Sequence, residues 1–306
     1  MNLGISINNK FFFIKALNRK RYDIDEIYGS SSHLGNYNGF KHYLNISKYC
    51  QNGSNFIEVT VNYSDGTRFF LKSFKFEAIT SKNLNSFEDK FKCLPADHLL
   101  KVNGSVDIQS YIDIGKQISD VICDELKNYN KRQSILDYGC GLGRVLFHLN
   151  KRFNKSKIYA YDIDNEILKW ANFILSNKFV RFESSTDIFE SGKFDIVYCI
   201  SVFTHIYNNR DKVILDIKRI LKKRGILFVS FHDKTLFNEI YKNKKNRFYA
   251  NELVVGNCFN DGDEGKGVFY DSTYWYDYLG KHFTHVKTEI RKLCGFQSYS
   301  IFINDR

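Results

Sequence analysis

The side chains best suited to chemistry gather around one stretch, Ile135-Leu136-Asp137-Tyr138-Gly139-Cys140-Gly141-Leu142-Gly143-Arg144. Glycine recurs at alternate positions, an acid stands two residues ahead of the first glycine, and an arginine follows the last. An apolar run leads in and an apolar helical pattern (Val145, Leu146, Leu149) leads out, so the stretch reads as strand, tight turn and helix. Gly139, Gly141 and Gly143 allow positive φ and a close ligand approach to the main chain. The helix N-terminus offers N–H groups and partial positive charge to an anionic group. A second acid, Asp162, ends the next apolar run in Tyr161-Asp162-Ile163-Asp164, where a carboxylate can accept hydrogen bonds from ribose hydroxyls. Gly-x-Gly alone is a weak signal; with an acid at the next strand end it points to an adenosine-type ligand.

The details select among such ligands. A dinucleotide fingerprint is G-x-G-x-x-G, whereas here the spacing is G-x-G-x-G with Arg144 next. A pyrophosphate disfavours a neighbouring carboxylate such as Asp137. A zwitterionic amino-acid tail fits better. Asp137 can face its ammonium directly or through water, and either Arg144 or the helix N–H groups can face its carboxylate. Cys140 occupies a turn position that needs a small side chain and reads as structural. Further along, His205 follows the fourth apolar run of this region, and His232 and Asp233 end the fifth. A base at such a strand end would assist an alcohol nucleophile. His205 is the first candidate, with His232 and Asp233 as alternatives or as an orienting pair.

These residues need a scaffold that brings strand ends together. From residue 135 onward β and α signals alternate: strands at 135–138, 157–161, 179–182, 194–200 and 226–231, and helices at 144–151, 165–175 and from Asn208-Asn209 to about Lys222. Asp107 caps an earlier amphipathic helix, and Asp164 caps the one beginning at Asn165. Two β runs at 285–292 and 296–303, joined by Leu293-Cys294-Gly295, predict a terminal antiparallel hairpin. Residues 234–281 form an insertion with a basic helix, a Gly/Asp-rich loop at 256–267 that could serve as a lid, and a helix from near Ser272. Residues 1–92 are β-rich. Runs at 11–16, 40–46, 55–63 and 68–76, with Asp65-Gly66 between the last two, predict hairpins in a small sandwich-like accessory domain. Pro95, the only proline, marks the expected boundary of a second domain, 93–306.

Residues 135–233 resemble a class I S-adenosylmethionine-dependent methyltransferase. The glycine stretch resembles that family's first motif and Ala160-Tyr161-Asp162-Ile163-Asp164 its second. Lys193-Phe194-Asp195-Ile196-Val197-Tyr198-Cys199-Ile200-Ser201-Val202-Phe203-Thr204-His205-Ile206 resembles the fourth-strand motif. Ser230-Phe231-His232-Asp233 and Gly295-Phe296-Gln297 resemble a bacterial subgroup associated with glycan biosynthesis. Lys222-Lys223-Arg224-Gly225 stands where the family usually has Pro-Gly-Gly. The resemblance implies an α/β, Rossmann-like fold with a mainly parallel seven-stranded sheet and an antiparallel terminal hairpin. It implies S-adenosyl-L-methionine held by Asp137, Gly139, Cys140, Gly141, Gly143, Arg144, Asp162, Ile163, Ser184, Ser185 and Ser201. Phe203, Tyr270 and Trp275 are candidates for the acceptor pocket. The expected reaction is O-methylation of a sugar hydroxyl, with a small-molecule or glycan acceptor. An RNA acceptor, a non-catalytic cofactor-binding module and a dehydrogenase are the competing readings.

Composition bounds this picture. The 306 residues are 43% hydrophobic, enough for a substantial core. A net charge of +11 suits a polyanionic partner, but the lysines are spread out and belong to a Lys, Asn, Ile and Phe bias of the kind an AT-rich genome gives. The seven cysteines show no C-x-x-C pair and read as reduced thiols of a cytoplasmic protein, with no metal site. No stretch is long and apolar enough to span a membrane.

Overall fold

A computed structural model describes residues 2–8, 10–15, 53–62, 67–78, 90–91, 94, 98–99, 102, 107–127, 133–153, 155–175, 180–240, 251–255 and 267–305. The chain divides into two compact units, residues 1–85 and 86–306. The described part of the first is one antiparallel sheet of four strands in the order β2-β1-β3-β4: β1 Asn2–Ile7, β2 Lys10–Lys15, β3 Gly53–Asn62 and β4 Arg68–Ala78. The register Ile7↔Lys10 leaves a tight link, and Asn8 adopts φ 47° there, as a hairpin turn requires. Its side-chain Oδ1 also accepts from Phe56 N at 3.0 Å. Strand β1 was not expected, because Gly4 and Ser6 weaken its apolar alternation. The described residues form this single sheet rather than two layers. The expected strand at 40–46, the turn at 64–66 and Pro95 lie outside them.

The second unit carries a nine-stranded sheet. Its parallel strands are β5 Ser134–Tyr138, β6 Lys157–Tyr161, β7 Val180–Glu183, β8 Phe194–Cys199 and β9 Leu221–Asp233. They run in the order β7-β6-β5-β8-β9, and the antiparallel hairpin of β12 Thr284–Leu293 and β13 Gln297–Ile303 closes the far side through β13. This is the expected seven-stranded core. Two short strands, β10 Glu252–Val255 and β11 Gly267–Tyr270, add a hairpin that docks on the last residues of β9, Phe269 facing His232 and Tyr270 facing Asp233. The insertion therefore extends the sheet. The Lys/Arg cluster at 242–247 and most of the loop 256–267 lie outside the described residues.

The chain winds from β5 outward through β6 to β7, then returns to place β8 on the other side of β5. The switch point lies between β5 and β8, and ligands of such sheets bind at the strand C-termini there. Period-2 alternation sorts the buried side chains onto two faces. Ile135, Ile158, Ile196, Tyr198 and Phe228 pack with helices α1 Ile108–Leu126 and α2 Arg144–Arg152. Leu136, Val197, Leu227, Val229 and Phe231 pack with α4 Arg210–Ile220 and α6 Ser272–Gly280. Helix α3 Asn165–Leu175 and the short α5 Lys234–Ile240 follow β6 and β9. Each fully buried Leu, Ile or Phe contributes roughly 1.5–3 kcal/mol, so the two layers supply most of what holds the strand ends in place. Helix α4 ends sooner than the apolar pattern suggests. Leu221 already pairs with Phe194 of β8, and Lys222–Arg224 belong to the exposed start of β9.

Candidate active site

The glycine turn follows β5. Its backbone is tied to the end of β6: Gly139 N and Cys140 N both donate to Tyr161 O, at 2.8 and 2.9 Å, and Gly141 N donates to Asp162 Oδ2 at 2.9 Å. These three N–H groups therefore hold the turn itself rather than standing ready for an anion. The glycines serve conformation and packing. Gly139 and Gly143 both sit at φ 81°, and a Cβ would lie 2.5 Å from Val202 Cγ2 at the first and 2.6 Å from Leu175 Cδ1 at the second. A glycine outside the motif matters equally. Gly115 of α1 lies so close to the start of α2 that a Cβ would meet Arg144 O at 2.5 Å. Cys140 is buried, its Sγ rests 3.4 Å from Gly141 O, and burial pushes its thiol well above the ordinary range, in keeping with a structural role.

A cleft of about 230 Å³ opens beside this turn. Of the residues expected at the cofactor, Asp137, Gly139, Cys140, Gly141, Arg144, Asp162, Ile163 and Ser201 line it, together with His205. Asp162 is aimed by two backbone donors, Gly141 N on Oδ2 and Asp164 N at 3.0 Å on Oδ1, and a carboxylate oxygen can accept a further hydrogen bond. Ile163 beside it is 83% exposed, an apolar surface on the cleft wall. Asp137 is almost wholly buried. Its Oδ2 accepts from Tyr198 Oη at 2.8 Å, across the pairing of β5 with β8. Burial is the main reason its pKa is pushed up to about 8; Asp162 adds to the rise, while Tyr198 and Arg144 oppose it. The Arg144 guanidinium lies 5.4 Å from the Tyr111 ring centre.

Beyond β8 the chain turns sharply at Ser201, which adopts φ 61°. Three hydrogen bonds hold it there. Ser201 N donates to Ser230 Oγ of β9 at 2.8 Å, Gln297 Nε2 of β13 donates to Ser201 Oγ at 2.7 Å, and Thr204 Oγ1 donates to Ser201 O at 2.8 Å. His205, whose N–H donates to Val202 O at 3.0 Å, is set on the cleft wall by this turn. His232 is largely buried, in contact with Phe269. Its pKa falls to about 4, mainly through burial and next through His205, with Asp233 opposing.

Asp233 has other work than the catalysis expected of it. Oδ1 accepts from Thr235 N at 2.7 Å, Leu236 N at 3.2 Å and Thr235 Oγ1, and Oδ2 accepts from Ser298 Oγ. It caps α5 and ties β9 to β13, and it does not line the cleft. Ser184 and Ser185 follow β7 away from the cleft lining; Ser185 Oγ pairs with Asp187. Phe203, Tyr270 and Trp275 are fully buried core, Trp275 meeting Phe203 edge-on and Tyr270 at a tilt. Sequence reasoning assigned no site role to Tyr198, Gly115, Ser230 or Gln297. Tyr198, a phenol following the apolar buried run Ile196-Val197, was the one detectable signal.

The lining sets three carboxylates, Asp137, Asp162 and Asp164, against one guanidinium. A pyrophosphate would be repelled, whereas a ligand carrying an ammonium and a sulfonium would offset the burial of Asp137. The residues present thus fit S-adenosylmethionine. Residues 136–229 match the family model described as "Methyltransferase domain". An uncharacterized protein of Methanocaldococcus jannaschii is 32% identical over 178 residues, 55% of this chain and 74% of that protein. A malonyl-[acyl-carrier protein] O-methyltransferase of Bacillus cereus is 28% identical over 174 residues, 54% of this chain and 64% of the relative. Among solved structures, the 1,6-didemethyltoxoflavin-N1-methyltransferase of Burkholderia thailandensis, with S-adenosylhomocysteine bound, aligns over 88% of this chain and 100% of its own, at 12% identity and a TM-score of 0.49. The chain belongs to the class I S-adenosylmethionine-dependent methyltransferases. Among the described residues no helix is long and apolar enough to cross a membrane.

Proposed function

We propose that the protein methylates a hydroxyl oxygen of a small polar acceptor, a sugar or related polyol, with His205 as the base. The observation that carries this reading is a histidine on the cleft wall, carried there by the turn after β8 whose Ser201 is held by Ser230 of β9 and Gln297 of β13. When bound, S-adenosylmethionine supplies a methyl group already activated on its sulfonium. The protein's own task is alignment and proton removal. Asp162 and Asp137 would hold the two ends of the cofactor, whose sulfonium–methyl bond would break to leave a neutral thioether as the acceptor oxygen takes the methyl group, and His205 would take the proton of that hydroxyl. That the Bacillus cereus relative is named an O-methyltransferase agrees with an oxygen acceptor.

The test is incubation of pure protein with the cofactor and a panel of methyl glycosides, nucleotide sugars and simple polyols, read by mass spectrometry. The expected product is a carbohydrate heavier by one methyl, linked through oxygen. Transfer only to nitrogen or sulfur, or only to non-carbohydrate acceptors, overturns the sugar assignment.

A further inference from the structure

Two buried polar atoms behind Ser201 and His205 of the cleft wall, in residues that do not themselves line the cleft, have no hydrogen-bond partner among the described residues: Nδ1 of His232 and Oε1 of Gln297. Such atoms are rare in folded proteins and costly to leave unmet. They are also neighbours. Phe231 faces Ser298 across the β9–β13 ladder, so His232 and Gln297 occupy the next facing positions. Both touch the machinery of the cleft wall. Gln297 donates through its other amide atom to Ser201 Oγ, and Ser201 lines the cleft. His232 faces Phe269 of β11, while the preceding β11 residue, Val268, donates to Thr204 O, beside His205. The chain thus leaves one acceptor oxygen and one imidazole nitrogen unmet at the strand ends nearest its base.

We propose that His232 and Gln297 are a positioning pair that grips the acceptor through its hydroxyl groups and presents one of them to His205. A hydroxyl both donates and accepts, so it can donate a hydrogen bond to Gln297 Oε1 and accept one from an imidazole N–H, and a vicinal diol can do so with two oxygens. An imidazole that stays neutral suits this, since it keeps one donor and one acceptor nitrogen. This inference rests on the hydroxyl-methylation reading and specifies its acceptor: a diol-bearing molecule. Gln297 and His232 do not take the proton; they act through the placement of the oxygen that His205 serves.

Three variants test it: Gln297→Met, which keeps the side-chain volume but removes both polar atoms, Gln297→Glu, which keeps an acceptor oxygen, and His232→Ala. Affinity for S-adenosylhomocysteine, by calorimetry, reports on folding and on the Ser201 turn. Expected is a rise in acceptor KM of about tenfold or more in Gln297→Met and His232→Ala, with cofactor affinity within about twofold of the parent, and a smaller rise in Gln297→Glu. A KM unchanged in all three, or a loss of cofactor affinity that parallels the loss of activity, overturns the pair and shows a water-bridged structural contact. The second measurement needs no turnover. Protein with nitrogen-labelled histidine, loaded with S-adenosylhomocysteine, is titrated with methyl glycosides and with their deoxy analogues. The His232 signals should shift with the glycosides and not with analogues lacking the diol, and the shift should vanish in Gln297→Met. If that shift is seen while no hydroxyl is ever methylated, the methylation reading fails and the binding pair stands. If hydroxyls are methylated while the His232 signals ignore every diol, the pair fails and the methylation reading stands.

Discussion

The two sides of the cleft are built differently. On the cofactor side, the acids and glycines come from one continuous stretch, residues 137–164, and their polar atoms are largely satisfied by one another. Asp162 is held by two backbone N–H groups, Gly139 and Cys140 hang on Tyr161 O, and Asp137 is held by Tyr198. On the proposed acceptor side, His205, Ser230 and His232, and Gln297 come from three separate segments, and two of their buried atoms find no partner among the described residues. A site that binds the same cofactor every turn can be finished in advance. A site that must select an acceptor leaves its last hydrogen bonds to the ligand, because an analogue lacking the matching group then leaves a buried polar atom stranded.

If the two sides are as separate as this, substitutions should divide cleanly between cofactor affinity and turnover. The largest effect is expected from Asp162→Ala, which removes a carboxylate that braces Gly141 and, on the reading proposed above, accepts from the ribose hydroxyls. Affinity for S-adenosylhomocysteine should fall by about 100-fold, as for the loss of two hydrogen bonds to a charged group. His205→Ala should lower kcat by about 100-fold with cofactor affinity within about twofold. Calorimetry and steady-state kinetics on both variants check the division. Equal loss of cofactor affinity in His205→Ala would show that the two sides are one structure.

The same contrast explains what could be read in the sequence. Strand β5, the glycine turn, Asp162 and the Asp164 cap are local: spacing along the chain fixes their spacing in space, and all were legible. The Asp107 cap with α1, and the terminal hairpin, were legible for the same reason. Gly115 was not, because its requirement comes from the backbone of Arg144 in another helix. Nor were the roles of Ser230 and Gln297, which depend on the β9–β13 register and on the unusual φ of Ser201. Asp233 misled because an acid at a strand end has the same appearance whether it serves a reaction or caps the next helix. The β10–β11 hairpin was hidden by its shortness and by the Gly/Asp-rich loop between its strands.

Asp137 gives the comparison a titration. Its carboxyl is raised in the folded protein from 3.8 to about 8, chiefly by burial. Across that window the folded state holds a proton that the unfolded state has lost, so this group makes stability fall as pH rises and adds no further change above the folded value. His232, lowered from 6.5 to about 4 by burial and by His205, acts oppositely: below its ordinary value the unfolded state gains a proton, so stability falls as pH drops. Between pH 6.5 and 8 the Asp137 contribution is the one of the two that remains. Thermal melting of the cofactor-free protein should show Asp137→Asn gaining several degrees on the parent at pH 8, with a smaller gain at pH 6. On the proposed reading, in which the ligand's ammonium draws the Asp137 carboxyl into its charged form, the same variant should bind S-adenosylhomocysteine more weakly. An equal gain at both pH values would place the benefit in packing instead of titration.

The smallest effect tests whether Asp233 belongs to the acceptor side at all. Its oxygens cap α5 and receive Ser298 Oγ, so Asp233→Asn keeps an acceptor for the cap but disturbs the contact with β13. The expected cost is about 1 kcal/mol of stability, the scale of a weakened helix cap, seen as a lower denaturation midpoint with an unchanged slope. Turnover per folded molecule should stay within about twofold, because the residue touches neither cleft nor base. His232 is the route by which that could fail, since Asp233 is the group that favours its charged form. Removing the carboxylate leaves the imidazole more firmly neutral, the state in which it can accept and donate to a hydroxyl. A fall in kcat of about 100-fold at unchanged stability would return Asp233 to the catalytic group and blur the boundary between helix cap and acceptor site.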